Sequence, residues 1–149
     1  MRAWIAREEQ NLVAEEAAYR AAIAANADTI AGYVALTDFH LRQKKFDAAF
    51  AAMDLFAKRK PLDRWNGYHA GRLAAMSGQQ LDRGEAALKA FIANPPPNSF
   101  PSTIARAHFW LGRIEEKRGA TAAARAQFQT AWQLDPDFAA AKKALDALK

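Results

Sequence analysis

Apolar residues fall along this chain at steps of three and four, and glycine or proline breaks the pattern at intervals. Such steps place side chains on one face of a helix. The clearest stretch reads His108-x-x-Leu111-Gly112-x-x-Glu115, then Gly119, then Ala124-x-x-x-Phe128-x-x-Ala131, then Pro136. It predicts two helices joined by a turn. Proline ends the second, because it cannot donate the backbone hydrogen bond and clashes with the preceding turn. Ser102, after Pro101, is placed to cap the first helix, which runs to about Arg118 with Gly119 as its stop. Thr121 is placed to cap the second, and Asp137 to cap a final helix over 138–148. That last helix has Phe138, Ala141, Leu145 and Leu148 on one face and Lys142, Lys143 and Asp146 on the other. The segment from about Arg2 to Ala25 also reads as helix. No run alternates between apolar and polar residues, so the expectation is an all-α fold of seven or eight helices.

The same unit recurs upstream. Tyr33-x-x-Leu36-Thr37-x-x-His40 is followed by Phe46, Ala49-x-x-x-Met53-x-x-Phe56 and Pro61. A divergent middle copy reads Ala70-Gly71-x-x-Ala74, Gly78, Gly84-x-x-x-Leu88-x-x-Phe91 and Pro96, with one residue inserted around Gln79-Gln80-Leu81-Asp82. Thr37 and Gly71 are 34 residues apart; Gly71 and Gly112 are 41 apart, a span stretched by the insertion and by the run from Pro95 to Pro101. Small residues (Ala49, Gly71, Gly84, Gly112, Ala124) are placed where two helices must approach closely. Large ones (Leu36, Met53, Phe56, Leu88, Phe91, Leu111, Phe128) are placed to fill the space between hairpins.

This pattern of aromatic, Leu-Gly, aromatic, Ala, aromatic and Pro at a 34-residue period resembles the tetratricopeptide repeat. His108 and Glu115 stand where that family usually has aromatic residues. The resemblance covers roughly residues 28–136. It implies a right-handed superhelical stack of about three antiparallel hairpins, over 28–61, 62–97 and 102–136. Residues 1–27 become a leading helix or half-repeat, and 137–149 the solvating cap that an open solenoid needs. The whole of 1–149 is then one domain.

Composition narrows the chemistry. The chain is 51% hydrophobic and 25% charged, values of a globular protein. It has seven Gly, six Pro and no Cys, which favours helix and removes disulfides, thiolate metal sites and cysteine nucleophiles together. The formal charge of +5 is spread along the chain. Its dense basic clusters, Arg42-Gln43-Lys44-Lys45 and Lys58-Arg59-Lys60, sit where helices should end, and cations there complement the helix dipole. Nucleic-acid binding is therefore disfavoured against a solvated helix end. No stretch is long and apolar enough to span a membrane. The first residues do not read as a signal peptide, because charges interrupt them. The expected setting is soluble: cytoplasm, or periplasm if a signal has been removed.

No catalytic, metal or cofactor pattern emerges. His40, His69 and His108 fall in three different hairpins, and His40 and His108 occupy places of packing aromatics. The pairs Glu8-Glu9, Glu15-Glu16 and Glu115-Glu116 are neighbours in sequence and diverge by roughly 100° around a helix, so neither pair member can share a site with the other. The expectation is a protein that is not an enzyme and needs no cofactor.

What the family resemblance implies about function is the capture of an extended peptide or partner helix on the concave surface lined by the first helix of each hairpin. Transferred to this chain, that surface holds Val34, Asp38, Leu41, Trp65, Tyr68, Arg72, Arg106, Phe109, Arg113 and Glu116. Tyr68/Arg72 and Phe109/Arg113 are the same aromatic–arginine pair in successive hairpins, suited to a partner with a carboxylate and an apolar anchor. Arg72 and Arg113 have an alternative use, neutralising Asp38 and Glu116. Val34 and Asp38 stand where the chaperone-tail clamp of this family carries Lys and Asn, so that ligand is not expected. The expected role is a protein-interaction scaffold of bacterial character. The runner-up is a C-terminal accessory domain of a larger bacterial enzyme.

Overall fold

Abundant alanine with few helix-breaking residues favours long helical runs. The computed structural model describes residues 2–148, with side chains from Glu9 onward, and holds eight α-helices and no strand among them. They are α1 (Arg2–Ala25), α2 (Ile30–Arg42), α3 (Phe46–Arg59), α4 (Trp65–Ser77), α5 (Leu81–Ala93), α6 (Pro101–Lys117), α7 (Thr121–Leu134) and α8 (Ala139–Ala147). The all-α expectation is met. Among the described residues no helix is long and apolar enough to cross a membrane. The chain divides into two compact units, Met1–Leu62 and Asp63–Lys149.

In the first unit α2 and α3 run antiparallel. The Tyr33 ring lies 5.1 Å from that of Phe56, while further along α2 the Thr37 hydroxyl donates to the carbonyl of Ala49, earlier in α3, at 3.4 Å. Leu36, Phe39, Ala49, Phe50, Met53 and Phe56 are buried between and beside them. Each fully buried large side chain contributes about 1.5–3 kcal/mol. α1 closes the other side of α2. Its Leu12, Tyr19 and Ile23 pack on Leu36, Phe39 and Ala52. Glu15 accepts from Tyr19 at 2.9 Å and from Arg42 at 2.6 Å.

In the second unit small residues set the helix separations. A Cβ placed on Gly71 would sit 2.2 Å from Leu88 Cγ, and one on Gly84 would sit 2.3 Å from the Cβ of Ala74. α4 and α5 are therefore in backbone-close, antiparallel contact. α6 packs on both, with Ile114 reaching Gly84. Gly112 lies against the Phe128 ring in the same manner, which joins α6 to α7. Phe138 brings the start of α8 onto α6, its ring 5.1 Å from that of Phe109.

The turns inside the first and third hairpins are the same turn. Lys45 N bonds His40 O and Lys44 N bonds Leu41 O, as Ala120 N bonds Glu115 O and Gly119 N bonds Glu116 O. This is a Schellman end, with Lys44 (φ 58°) and Gly119 (φ 76°) in the left-handed conformation it requires. The middle hairpin reaches left-handed Gly78 (φ 74°) at the equivalent point. It then absorbs its inserted residue with a second left-handed residue, Gln80 (φ 51°), just before α5. The second helices also end alike. Lys60 (φ −127°, ψ 66°), Asn94 (φ −144°, ψ 70°) and Asp135 (φ −142°, ψ 89°) each donate to the carbonyl four residues back, and each is followed by proline. In the middle hairpin that proline is Pro95, not the expected Pro96, because α5 is 13 residues long where α3 and α7 are 14.

The three expected side-chain caps do not form. α6 starts at Pro101, whose fixed φ suits the first helical position, so Phe100 is the N-cap and Ser102 lies inside the first turn. At α7 the Schellman bond fixes Ala120 as N-cap, and its carbonyl accepts from Ala124 at 2.9 Å, leaving Thr121 as the first helical residue. At α8 the N-cap is Phe138, held by its ring on Phe109, and Asp137 contributes its backbone carbonyl to Ala139 N.

Candidate functional site

The chemistry-rich surface of the second unit is built on α4 and α6. Asp63 starts α4 by accepting from the Trp65 amide at 2.9 Å, and the Arg64 guanidinium ties that helix start to Pro95 O at the end of α5, at 2.7 Å. Trp65 and Tyr68, one turn apart, stand edge-to-face at 5.6 Å and 84°. Both rest on Phe91, buried beneath them in α5, at 5.5 and 5.4 Å. His69 joins the cluster edge-on to Tyr68 at 5.1 Å. Edge-to-face pairs of this kind add about 0.5–1.5 kcal/mol beyond burial. All of these rings but Phe91 are half-buried.

Among the expected site residues, Trp65 and Tyr68 are brought together. Arg72 follows one turn along α4, half-buried. On α6 the arrangement differs from the expected pair of neighbouring aromatic–arginine couples. Phe109 turns toward α7 and α8 and packs on Phe128 at 5.7 Å and Phe138 at 5.1 Å. Arg113 forms an ion pair with Glu116 on its own helix, the alternative use weighed for it. Arg106 is exposed, its guanidinium 6.0 Å from the centre of the Phe138 ring. The residue that joins α6 to Tyr68 is Trp110, whose Nε1–H donates to the Tyr68 hydroxyl at 3.2 Å. The sequence reading missed it. The available signal was that a half-buried tryptophan must find an acceptor for its indole N–H. Val34 and Asp38 lie half-buried on α2 of the first unit.

The charged groups at these helix ends are held in ion pairs. Arg118, at the end of α6, meets Asp82, Glu85 and Glu115. Lys89 and Arg118 hydrogen bonds hold the Glu85 carboxyl below the usual range, and Glu85 in turn raises the Arg118 guanidinium. Of the basic clusters, Arg42 pairs with Glu15, while Arg59 and Lys60 pair with Asp28 at 2.7 and 3.4 Å. His108 Nδ1 lies 2.8 Å from Gln127 Oε1, and His40 is buried against Phe39. Among the described residues no three His, Asp or Glu gather closely enough to hold a metal ion.

What the described residues define is an all-α chain of paired helices with one aromatic-rich surface on α4 and α6. Compared with known proteins, the chain matches no family model and no curated sequence.

Proposed function

We propose that the three hairpins are tetratricopeptide-type repeats and that the chain is a non-enzymatic interaction module. Its α4–α6 surface holds an extended segment of a partner protein. The observation that carries this reading is the row of half-buried rings Trp65, Tyr68 and Trp110 on two successive first helices, the first two resting on a buried Phe91 and the third bonded to the Tyr68 hydroxyl. Aromatic residues and arginine dominate interface energies, and rings left part-wet gain most from being covered. Arg72 follows Tyr68 by one turn on the same stripe of α4, while the Arg113–Glu116 pair supplies little net charge. The segment that suits this surface has an apolar anchor for the rings and a carboxylate for the arginines. Exposed ion pairs contribute about 0–1 kcal/mol, so the rings must provide most of the affinity.

Capture of partners from a lysate of the native host, followed by their identification, gives the binding assay. Trp65→Ala with Trp110→Ala is then set against Lys58→Ala with Lys60→Ala at the end of α3. The proposal requires the first pair to lose partner binding with an unchanged helical spectrum, and the second to retain it. Loss with the Lys58/Lys60 pair alone would move the partner to the basic helix end and overturn the α4–α6 assignment.

A further inference from the structure

The first unit buries an imidazole where α1 lies on α2. His40 is 4% exposed, and its ring stands edge-on to Phe39 at 5.3 Å. Its Nε2 is 3.9 Å from Glu16 Oε1, too long for a hydrogen bond, and its Nδ1 is buried without a partner. The charged groups facing the ring are Glu16 and Arg20 from α1 and Lys45 from the turn into α3. The residues that α3 buries, Ala49, Phe50, Ala52, Met53 and Phe56, are all uncharged. The Glu16 oxygen nearest the ring already accepts from Arg20 Nε at 3.0 Å and from Arg20 Nη2 at 2.8 Å.

A neutral imidazole fits this setting. One ring nitrogen is then an acceptor and can go unmatched at modest cost. A protonated ring has two N–H donors, and one of them would be a buried donor without an acceptor, facing two cations. We propose that the α1–α2 contact is an acid-sensitive joint, in which protonation of His40 drives the ring out from beneath α1 and loosens α1 from α2. The apolar surface shared by Leu12, Tyr19, Ile23, Leu36 and Phe39 is uncovered when it opens.

Desolvation by burial, opposed by Glu16, holds the imidazole below the usual histidine range. The folded form therefore binds this proton less readily than the unfolded form. The contribution is fully present above the ordinary value of about 6.5 and is lost as pH falls below it. Glu16, held low mainly by its hydrogen bond from Arg20, stays ionised through that window. Histidine is the side chain whose ordinary range falls there.

Amide hydrogen exchange of the full chain at pH 7.5 and 5.5, expressed as protection factors corrected for intrinsic rates, tests the joint. Local opening is read helix by helix in this measurement. The expected result is that α1 loses about tenfold in protection relative to α3 at pH 5.5, the ratio equivalent to about 1.4 kcal/mol. His40→Phe should retain packing and abolish the loss. Unchanged α1 protection, loss shared equally by all helices, or loss that persists in His40→Phe would each overturn the joint. Should His40→Phe fail to fold, the imidazole resonance of His40 in the unaltered chain decides. A midpoint below the ordinary histidine value that tracks the loss of α1 protection supports the joint. A midpoint at or above that value overturns it.

Discussion

Gly84→Ala places one methyl group where α4 and α5 touch. The new Cβ would lie 2.3 Å from the Cβ of Ala74 and 3.2 Å from Ile114 Cδ1. Carbon atoms pack at about 3.5–4.0 Å, so the two helices must part by more than an ångström. Ile114 can rotate away, but the Ala74 Cβ is fixed to its backbone and has no rotamer to change. Ala74, Leu88 and Leu73 are at most 1% exposed, so a parting of the hairpin is felt throughout a closed interior. Overpacking costs about 1–3 kcal/mol. Replacing helical Gly with Ala returns about 0.8–1.0 kcal/mol through propensity. The clash outweighs the gain because the Ala74 Cβ cannot move aside, and the net loss reaches up to about 2 kcal/mol. Urea unfolding followed by tryptophan fluorescence reads this unit well, since Trp65, Trp110 and Trp132 all lie in it. With a slope of about 2 kcal/mol per molar urea, the midpoint should fall by up to about 1 M at unchanged slope. Ala74→Gly combined with Gly84→Ala moves the methyl from one helix to the other. The double variant should recover part of the loss, giving a clear coupling in the mutant cycle. A higher midpoint for Gly84→Ala, or strict additivity of the two changes, would refute the close-contact account.

Gly112→Leu and Ala124→Trp should each lower the thermal midpoint, because a Cβ at Gly112 already meets the Phe128 ring at 2.6 Å and Ala124 is fully buried; unchanged midpoints in both would contradict the packing of α6 on α7. Because the Glu85 carboxyl is held below its usual range by Lys89 and Arg118, its contribution is present above about pH 4.3 and is lost as pH falls further. Glu85→Gln should flatten the acid limb of a stability–pH curve by well under 1 kcal/mol, since the partners are largely solvated. Arg118→Ala should weaken the second unit more in 10 mM than in 1 M salt, about the range over which ionic screening becomes strong; equal losses at both would show that its alkyl stem matters more than its charge.

The repeat was legible because the physical demands it expresses are local. Ala49, Gly84 and Ala124 must be small and Met53, Leu88 and Phe128 large at fixed offsets, and those offsets are visible in one dimension. Helix stops at Gly119 and before Pro61 and Pro136 were legible for the same reason. The starts were not. Ser102, Thr121 and Asp137 look like caps by type, yet Pro101, the Schellman bond at Ala120 and the Phe138 ring each fixed the helix start first. On the candidate surface, spacing placed Trp65, Tyr68 and Arg72 on one stripe of α4. It could not say that Phe109 would turn toward Phe138 while Trp110 met Tyr68, because that choice depends on a ring more than twenty residues further along the chain. Nor could it separate Arg113 as a ligand-facing cation from Arg113 as the partner of Glu116.

The extra residue of the middle hairpin shows where this architecture admits a change in length. Gln80 takes a left-handed backbone at a cost of about 1–2 kcal/mol, yet the small-on-large contacts of Gly71 with Leu88 and Gly84 with Ala74 stay in register behind it. A turn held by main-chain bonds makes few demands on side-chain identity, so insertions and deletions there are confined to the rim. Divergence in such a lineage can therefore accumulate at the hairpin tips while the interior keeps its spacing, and two descendants would come to differ in numbering before they differ in packing.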